Sequence, residues 1–435
     1  MTRQQICQKP LQNREIHGKI YVRNDYKRHG VIFMKNKKIS MFWYRITKLA
    51  AGFVSKFIFG RKFIRNEIKG VKGPYVIIGN HQASLDFVNV MGATRRPITF
   101  VTSNAFYNTL PVKGIMTKIG VIPKQQFQTG LTELKRMRGV IDDGGILCLY
   151  PSGLMSEDGL STPIPTGTYK FLKWIKADIY VARTYGMYFA MPKWSKGMRK
   201  GRTYLDIYKL FSKEEIAQMD LSDIKKKVDE AILFDAYREQ EKYLVRFKHN
   251  NNIEGLQNVL YMCPHCKSEY SVNVRDKSIL YCDKCGFEQE CDKYGYMHNT
   301  KGIGEEIRYV SDWSKLIYDE LREKIANGGE ISMTSGTKIH MINYDEKKFV
   351  EVGNGQISLD RNGFKLDCVI NGEATSLDIP ILTFASLPFK PGKCIDLQKG
   401  EDIYRLVLDD GRQAMKYVNT VEILYEINSG SQLVR

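Results

Sequence analysis

The sequence predicts an α/β domain with a largely parallel sheet flanked by helices, followed by a small cysteine module and a β-rich C-terminal part. Short apolar runs alternate with helical patterns over residues 75–250, which is typical of strands buried on both faces of a sheet. Two C-x-x-C pairs follow, and alternating runs separated by turn residues come last. We therefore expect a basic N-terminal segment 1–40, an α/β domain 41–250, a cysteine module 260–300 and a β-rich domain 302–435.

The chain is strongly basic, and its charge is unevenly distributed. It contains 66 Lys and Arg against 48 Asp and Glu, for a net charge of +18. Residues 1–72 carry 18 basic and 3 acidic residues, whereas residues 251–435 carry 22 and 28. The hydrophobic fraction of 43% excludes a wholly disordered chain. We expect the front half to face an anionic partner, such as a membrane surface with anionic lipids.

The sequence also indicates in which cellular compartment the protein is expected. It contains no run of about 18 apolar residues that would span a membrane, and its basic start contains no apolar core of a secretory signal. The nine cysteines are an odd number, and four of them form C-x-x-C pairs that favour metal binding over disulfides. We expect a cytoplasmic protein, peripheral at the inner face of the membrane.

An amphipathic helix is expected over residues 41–60. Its apolar positions fall at helical spacing and form one stripe, comprising Ile46, Leu49, Ala50, Phe53, Val54, Phe57 and Ile58. The stripe has two interpretations. It can pack on the domain core, or it can lie in a membrane surface, as the basic flanks and the preceding Phe42, Trp43 and Tyr44 favour.

Strands and helices then alternate along the α/β domain. Apolar runs predict strands over Tyr75–Gly79, Ile98–Val101, Gly145–Tyr150 and Ile179–Val181, the last within a longer strand-like segment, Asp178–Pro192. Helical patterns cover Thr132–Ile141 and Tyr169–Lys176, and an exposed charged helix is expected over Ser222–Lys248.

A histidine and an aspartate follow the first strand. His81 lies where open α/β sheets place reactive groups, just beyond the carboxyl end of a strand. A nearby carboxylate can fix the tautomer of such an imidazole for general-base work. Because residues five apart differ by about 140° on a helix, His81 and Asp86 can meet only if His81 lies in the turn before the helix. A histidine buried in the core is the alternative.

Three further blocks give this pair a context. The sequence resembles the glycerolipid acyltransferases of the 1-acylglycerol-3-phosphate acyltransferase family, over roughly residues 40–215. The N-H-x-x-x-x-D block matches Asn80, His81 and Asp86. The G-x-I-P block matches Gly120, Ile122 and Pro123, followed by Lys124. The F-P-E-G-x-x-S block matches Pro151, Gly153 and Ser156, with Tyr150 in place of Phe, and a late apolar strand with a proline matches less closely.

The resemblance implies acyl transfer from acyl-CoA or acyl carrier protein to the hydroxyl of 1-acylglycerol-3-phosphate or a related lysophospholipid. His81 would be the general base and Asp86 would orient it. Substrate-binding roles would fall to the set Asn80, Lys124, Pro151, Ser152, Gly153 and Arg183. No organic cofactor is implied beyond the acyl thioester.

Two departures from the family pattern affect the acceptor. Ser152 stands where the family has Glu, and Met155 where it usually has Arg. Lys124, Arg183, Arg95 or Arg96 can supply the cation that an acceptor phosphate needs, and Lys124 is favoured because it directly follows the second block. Glu157 is near enough to replace the carboxylate. The departures also suggest a second hypothesis, a non-catalytic lipid-binding or regulatory protein on an acyltransferase scaffold.

The cysteine module predicts a structural zinc site. Cys263 and Cys266 are followed, after 15 residues, by Cys282 and Cys285, a spacing typical of a four-cysteine zinc ribbon with strands over Tyr270–Val274 and Ser278–Tyr281. Ribbons often bind nucleic acid, but residues 251–300 contain five basic and seven acidic residues. A nucleic-acid partner is therefore the less favoured interpretation.

The C-terminal residues predict a small antiparallel β-barrel or sandwich. A helix over Ser311–Ala326 precedes the strands, and a final helix, Tyr417–Ile427, closes the chain. Tight-turn signals occur at Asn362-Gly363, Asn371-Gly372 and Asp410-Gly411. Strand number and the closing helix resemble pleckstrin-homology-like barrels, which implies lipid binding or docking; a purely stabilising role is the alternative.

Overall fold

A seven-stranded sheet forms the centre of the N-terminal half. The computed structural model describes residues 39–109, 113–125, 130–400 and 402–430, so nearly all of the predicted segment 1–40 lies outside the described residues. The strands are β1 (Lys62–Asn66), β2 (Tyr75–Gly79), β3 (Ile98–Ser103), β4 (Ile122–Lys124), β5 (Ile146–Leu149), β6 (Asp178–Tyr185) and β7 (Tyr204–Phe211). Their order is β1-β7-β6-β2-β5-β3-β4, and every neighbouring pair is parallel except β6 with β7.

Helices cover both faces of this sheet. They are α1 (Met41–Phe53), α2 (Asp86–Met91), α3 (Asn104–Thr109), α4 (Lys113–Lys118), α5 (Leu131–Asp142), α6 (Thr166–Trp174), α7 (Met187–Ala190), α8 (Lys213–Gln218), α9 (Leu221–Ile232) and α10 (Ala236–Tyr243). Along β2, Tyr75 and Ile77 enter one core, and Val76 and Ile78 enter the other. Burial on both faces explains the unbroken apolar run of this strand. The predicted α/β sheet is therefore confirmed as a mixed sheet flanked by helices.

Two predicted element boundaries are wrong. The expected strand Asp178–Pro192 ends at Tyr185, because Gly186 adopts a left-handed conformation with φ of 84° and starts the short helix α7. The expected helix Ser222–Lys248 is interrupted, since the chain is extended between α9 and α10 and Asp235 caps α10 by accepting the backbone N–H groups of Tyr237 and Arg238.

The first helix is shorter than predicted, and of the apolar stripe Val54 and Ile58 pack against the core. It ends at Phe53 and continues as one π-helical turn, Val54–Ile58. Tyr44 and Ser55 attach the helix to the domain: the Ile98 N–H donates to the Tyr44 hydroxyl at 2.9 Å, and Ser55 Oγ donates to Asn89 Oδ1 at 2.8 Å.

The cysteine module contains a four-stranded antiparallel sheet. Its strands are β8 (Val272–Arg275), β9 (Ile279–Cys282), β10 (Glu288–Cys291) and β11 (Met297–Asn299), in the order β11-β10-β9-β8. The two predicted strands of this module match β8 and β9 to within two residues.

A second seven-stranded sheet, antiparallel throughout, forms the C-terminal part. After helix α11 (Val310–Ala326) come β12 (Met333–Asn343), β13 (Lys348–Leu359), β14 (Gly363–Ile370), β15 (Glu373–Pro380), β16 (Phe389–Lys390), β17 (Cys394–Lys399), β18 (Asp402–Leu408) and helix α12 (Gln413–Ser429). The order is β15-β14-β13-β12-β18-β17-β16. Asn371 and Gly372 form the predicted β14–β15 turn with positive φ at both positions. Asp410-Gly411, expected between strands, instead joins β18 to α12.

Candidate active site and cysteine cluster

The turn after β2 brings the predicted His–Asp pair into contact. His81 lies in the turn, and α2 begins at Asp86. His81 Nδ1 is 2.9 Å from Asp86 Oδ2. The same oxygen accepts the backbone N–H groups of Gln82 at 2.8 Å and Ala83 at 2.9 Å. A strand, a turn and a helix start therefore provide the geometry that a continuous helix cannot.

Burial and hydrogen bonding define the tautomer of His81. Asp86 is fully buried, and its Oδ2 accepts the backbone N–H groups of Gln82 and Ala83 beside His81 Nδ1. A carboxylate oxygen that already accepts two N–H groups acts as an acceptor for the ring as well, so the proton of the neutral imidazole lies on Nδ1. The Nε2 atom is then unprotonated. The His81 side chain retains 18% of its exposure, so this ring is not a sealed core histidine.

Tyr150, the residue after β5, packs flat against His81. The two rings are stacked, with centroids 4.6 Å apart and planes 20° from parallel. Burial raises the pKa of Tyr150 well above its usual value, and its hydroxyl has no hydrogen-bond partner among the described residues. Gly79 makes room for this ring, since a Cβ at position 79 would lie 2.9 Å from Tyr150 Cε1. The sequence placed Tyr150 in a motif, but no sequence signal gave its contact with His81.

Asn80 is buried and fully engaged with β6. Its Nδ2 donates to the Thr184 carbonyl at 2.8 Å, and its Oδ1 accepts the Thr184 N–H at 2.8 Å. These two bonds join the end of β2 to β6 next to His81. Both polar atoms of the Asn80 side chain are therefore engaged within the fold, and substrate binding by this residue stays a prediction.

The loop after β5 closes against the His81 turn. The Ser156 N–H donates to the His81 carbonyl at 3.2 Å, Pro151 is buried, and Gly153 has a φ of 70°. Ser152 Oγ donates to the Leu154 carbonyl at 3.0 Å. The third sequence block thus lies beside the imidazole, with Ser152 half-buried rather than sealed.

The two expected cations have different surroundings. Arg183 donates to the Ala231 carbonyl at 2.7 Å and to Glu239 at 2.6 Å, so its guanidinium ties β6 to the helices behind the sheet. Its expected contact with an acceptor phosphate stays a prediction. Lys124 ends β4 and donates to the Gln125 carbonyl at 3.2 Å, and burial lowers its pKa. With neighbouring strands about 4.8 Å apart, Lys124 lies three strands, or about 14 Å, along the edge from His81.

Glu157, which could have replaced the missing family carboxylate, is engaged elsewhere. It is buried, and its Oε2 lies 3.6 Å from Lys193 Nζ. The Lys193 ammonium in turn lies over the Phe389 ring, 3.8 Å from its centroid. This buried pair therefore connects the α/β half to the C-terminal sheet.

The four predicted cysteine ligands converge. Their sulfur atoms all lie within 4.8 Å of one another, and the Cys263–Cys285 and Cys266–Cys282 pairs are 3.7 Å apart. Four thiolates at about 2.3 Å from a tetrahedral zinc ion lie about 3.8 Å from each other. The donor set, its number and its spacing therefore fit a closed zinc site.

The apolar stripe of α1 and the π-helical turn is divided between solvent and core. Ile46, Leu49, Phe53 and Phe57 are between 43% and 76% exposed, whereas Val54 and Ile58 are partly buried and pack against the core. Among the described residues, none of the helices combines the length and apolar character required to cross a bilayer.

Comparisons with known proteins bear on the α/β half. Residues 60–185 match the family model Acyltransferase. The chain is similar to the crystal structure of the 1-acyl-sn-glycerophosphate (LPA) acyltransferase PlsC from Thermotoga maritima, with 13% identity, 46% of this chain and 78% of that chain covered, and a TM-score of 0.38. The comparison with curated proteins gave no match. The family match spans His81, Asp86 and Tyr150 and ends before the four-cysteine cluster that begins at Cys263.

Proposed function

We propose that this chain is a glycerolipid O-acyltransferase that works at a membrane surface. It transfers a fatty acyl group from acyl-CoA or acyl carrier protein to the hydroxyl of 1-acylglycerol-3-phosphate or a related lysophospholipid. The observation that carries the proposal is the contact of His81 with Asp86 at the carboxyl end of β2 in the mixed sheet, within the segment that matches the acyltransferase family model.

The proposed chemistry needs one base and no covalent enzyme intermediate. Nε2 of His81 takes the proton of the acceptor hydroxyl, and the oxygen attacks the thioester carbonyl. The new C–O bond forms, the C–S bond breaks, and the imidazolium returns the proton to the leaving thiolate. Asp86 stabilises the imidazolium and holds the ring in the required tautomer. Cys148 takes no part, because burial raises the pKa of its thiol far above neutrality.

Lys124 is our candidate anchor for the acceptor phosphate. It is half-buried at the same sheet edge as His81, and its ammonium donates to one backbone carbonyl at 3.2 Å, whereas Arg183 is engaged in the fold. The length of a lysine side chain covers part of the about 14 Å along the sheet edge that separates the two residues. Ser152 and Gly153, beside His81, supply the remaining polar contacts of the acceptor in this proposal.

The exposed stripe of α1 supports docking on a membrane. This helix is attached to the protein on one face and exposes apolar side chains on another. That arrangement is typical of helices that lie in the membrane–water interface. We propose that the stripe inserts into the lipid surface, at the inner face of the membrane, and so brings lysolipid acceptors to His81. The four cysteines hold a structural zinc ion in the same proposal, and the ion takes no part in acyl transfer.

The deciding experiment is acyl transfer by the purified chain. Labelled acyl-CoA and acyl carrier protein thioesters are supplied with vesicles containing lysophosphatidate or other lysophospholipids, and the product lipids are separated. We expect diacyl product with at least one acceptor. Complete absence of turnover with every acceptor, by a folded protein that still binds vesicles, would favour the non-catalytic lipid-binding hypothesis.

A further inference from the structure

A basic surface cavity lies where the α/β half meets the cysteine module. It has a volume of about 350 Å³, and its lining includes Lys200, Arg246, Lys248, His249 and Lys293. None of these residues forms an ion pair within the described part of the chain. The lining contains five basic side chains and no carboxylate. Such a site is suited to an anion. All five lie outside the family match at residues 60–185.

A buried amide at the same cavity lacks an acceptor. Asn250 lines the cavity, is 3% exposed, and has no hydrogen-bond partner for its Nδ2 among the described residues. Its Oδ1 accepts a hydrogen bond from Arg199 Nη1 at 3.1 Å, and this bond fixes the orientation of the amide. Its Nδ2, which lies next to Gly295, is a buried donor without an acceptor among the described residues, and such donors are costly.

Arg199 adds a positive charge beneath the cavity. It is 7% exposed, and its guanidinium donates to Asn250, the Asn252 carbonyl at 2.6 Å and Ser195 Oγ at 3.1 Å, all of them neutral acceptors. Burial lowers its pKa, which reflects the cost of a desolvated charge without a counter-ion. An anion in the cavity would compensate this charge.

The cavity lies next to the exposed apolar helix. Gly201, which follows Lys200, donates its N–H to the carbonyl of Ile58 at 3.2 Å, at the end of the π-helical turn. The Lys248 N–H donates to the Lys200 carbonyl at 2.8 Å. Gly201 also packs so closely on Phe247 that a Cβ would lie 2.0 Å from the ring. The cationic residues are thus joined by backbone contacts to the helix that carries Phe57.

We propose that this cavity binds the phosphate monoester headgroup of an anionic lipid, at a site separate from the His81 site. The exposed apolar face of α1 lies next to the basic cavity. A lipid has both acyl chains for the apolar face and a phosphate headgroup for the cavity, so one molecule could occupy both. Binding of the lipid within a membrane depends on the proposed docking of α1, whereas binding of the anionic headgroup depends on the cavity alone.

The test combines vesicle binding with charge-removing variants. The double variant Lys200→Gln, Lys248→Gln is compared with Lys170→Gln, Lys226→Gln, which removes two exposed lysines from α6 and α9 on the opposite face of the sheet. Cosedimentation uses vesicles of four parts phosphatidylcholine to one part phosphatidic acid, and pure phosphatidylcholine, near physiological salt. We expect the cavity variant to bind the phosphatidic acid vesicles roughly ten- to thirty-fold more weakly. The matched variant is expected to change by less than about threefold because screening isolates distant charges.

Further arms separate the sources of phosphate. Dihexanoyl phosphatidic acid in solution should raise the thermal midpoint of the wild-type chain and not of the cavity variant, whether or not α1 docks on vesicles. An equal rise with inorganic phosphate alone would overturn the lipid assignment, as would displacement from vesicles by a single-stranded oligonucleotide. Equal vesicle binding by the two double variants would overturn the site itself. His81→Ala should bind as wild type does, so loss of acyl transfer and loss of this site are distinguishable.

Discussion

The ring of Tyr150 lies flat on the imidazole of His81, with 4.6 Å between the centroids. The imidazole is therefore restrained on two sides, by Asp86 at Nδ1 and by an aromatic face. Since the Tyr150 hydroxyl has no partner among the described residues, the contribution of this residue lies in its ring. Tyr150→Phe should retain acyl transfer within about threefold, while Tyr150→Leu should lower kcat by roughly ten- to a hundredfold because the ring is no longer restrained. Steady-state kinetics of the two variants separate the ring from the hydroxyl, and equal loss in both would contradict the stacking role.

Removing the base should abolish turnover without unfolding the chain. General-base catalysis contributes roughly 10²- to 10⁴-fold, so His81→Ala should lose at least a hundredfold in kcat with little change in the thermal midpoint, since the imidazole is partly exposed. Activity of His81→Ala near the wild-type rate would refute the catalytic assignment.

Asp86 has both a structural and an orienting role. Asp86→Asn should keep its oxygen as acceptor for the Gln82 and Ala83 N–H groups but lose the charge that stabilises the imidazolium. We expect a kcat lower by about 10²-fold or more, with a smaller loss of stability than in Asp86→Ala, which removes all three hydrogen bonds. Kinetics and thermal unfolding, measured on both variants, distinguish the two roles.

The exposed stripe of α1 should control vesicle binding. Leu49 and Phe53 are 76% and 60% exposed, so replacing both with Ser should leave stability within about 0.5 kcal/mol. Loss of their insertion should weaken binding to phosphatidylcholine vesicles by about 3 kcal/mol, or roughly a hundredfold. The matched control is Leu131→Ser with Leu382→Ser, two exposed leucines outside α1. Equal binding by both double variants would refute docking through α1.

The cysteine cluster should bind one zinc ion per chain. Cys282→Ala should lose the metal and lower the unfolding temperature, whereas Cys368→Ala, a buried cysteine outside the cluster, should retain it. Because the ligands bind as thiolates, acidification should release the ion as protons compete for sulfur. Elemental analysis of the purified variants across a pH series measures both effects, and a wild-type chain without metal after expression in zinc would refute the site.

The buried Glu157–Lys193 pair should stabilise the contact between the two halves. Lys193→Met leaves Glu157 as a buried carboxylate without its cation and should lower the free energy of unfolding by about 3 kcal/mol. Adding Glu157→Leu to this variant should restore most of the loss, because the unpaired charge is then removed. Urea titrations of the single and double variants give the coupling, and equal stability of the single variant and wild type would contradict it.

Local patterns predicted the parts of the molecule that depend on local physics. The apolar run Tyr75–Gly79 reads as a strand because both faces of β2 are buried, and the two C-x-x-C pairs specify a cluster because each pair brings two sulfurs together over one turn. The His81–Asp86 contact followed from the requirement that a turn separate strand from helix.

Other features depend on partners that are distant in sequence. Nothing near Arg183 in the sequence shows that Glu239, 56 residues later, will bind its guanidinium. Asn80 is engaged by Thr184, 104 residues away. The sequence of the α1 stripe does not show which of its side chains are exposed to solvent. That exposure depends on how the helix is attached, through Tyr44 to Ile98 and through Ser55 to Asn89, 54 and 34 residues away.

Gly79 has a consequence for any attempt to redesign this chain. An added methyl group there would meet the Tyr150 ring on one side and the Ala182 carbonyl, at 3.1 Å, on the other. To make room, either the strand that carries Ala182 would have to move or the Tyr150 ring, which stacks on His81, would have to tilt. Glycine at position 79 therefore determines where the Tyr150 ring lies against His81, two positions further on, and alanine there is expected to displace that ring and to lower the proposed acyl transfer.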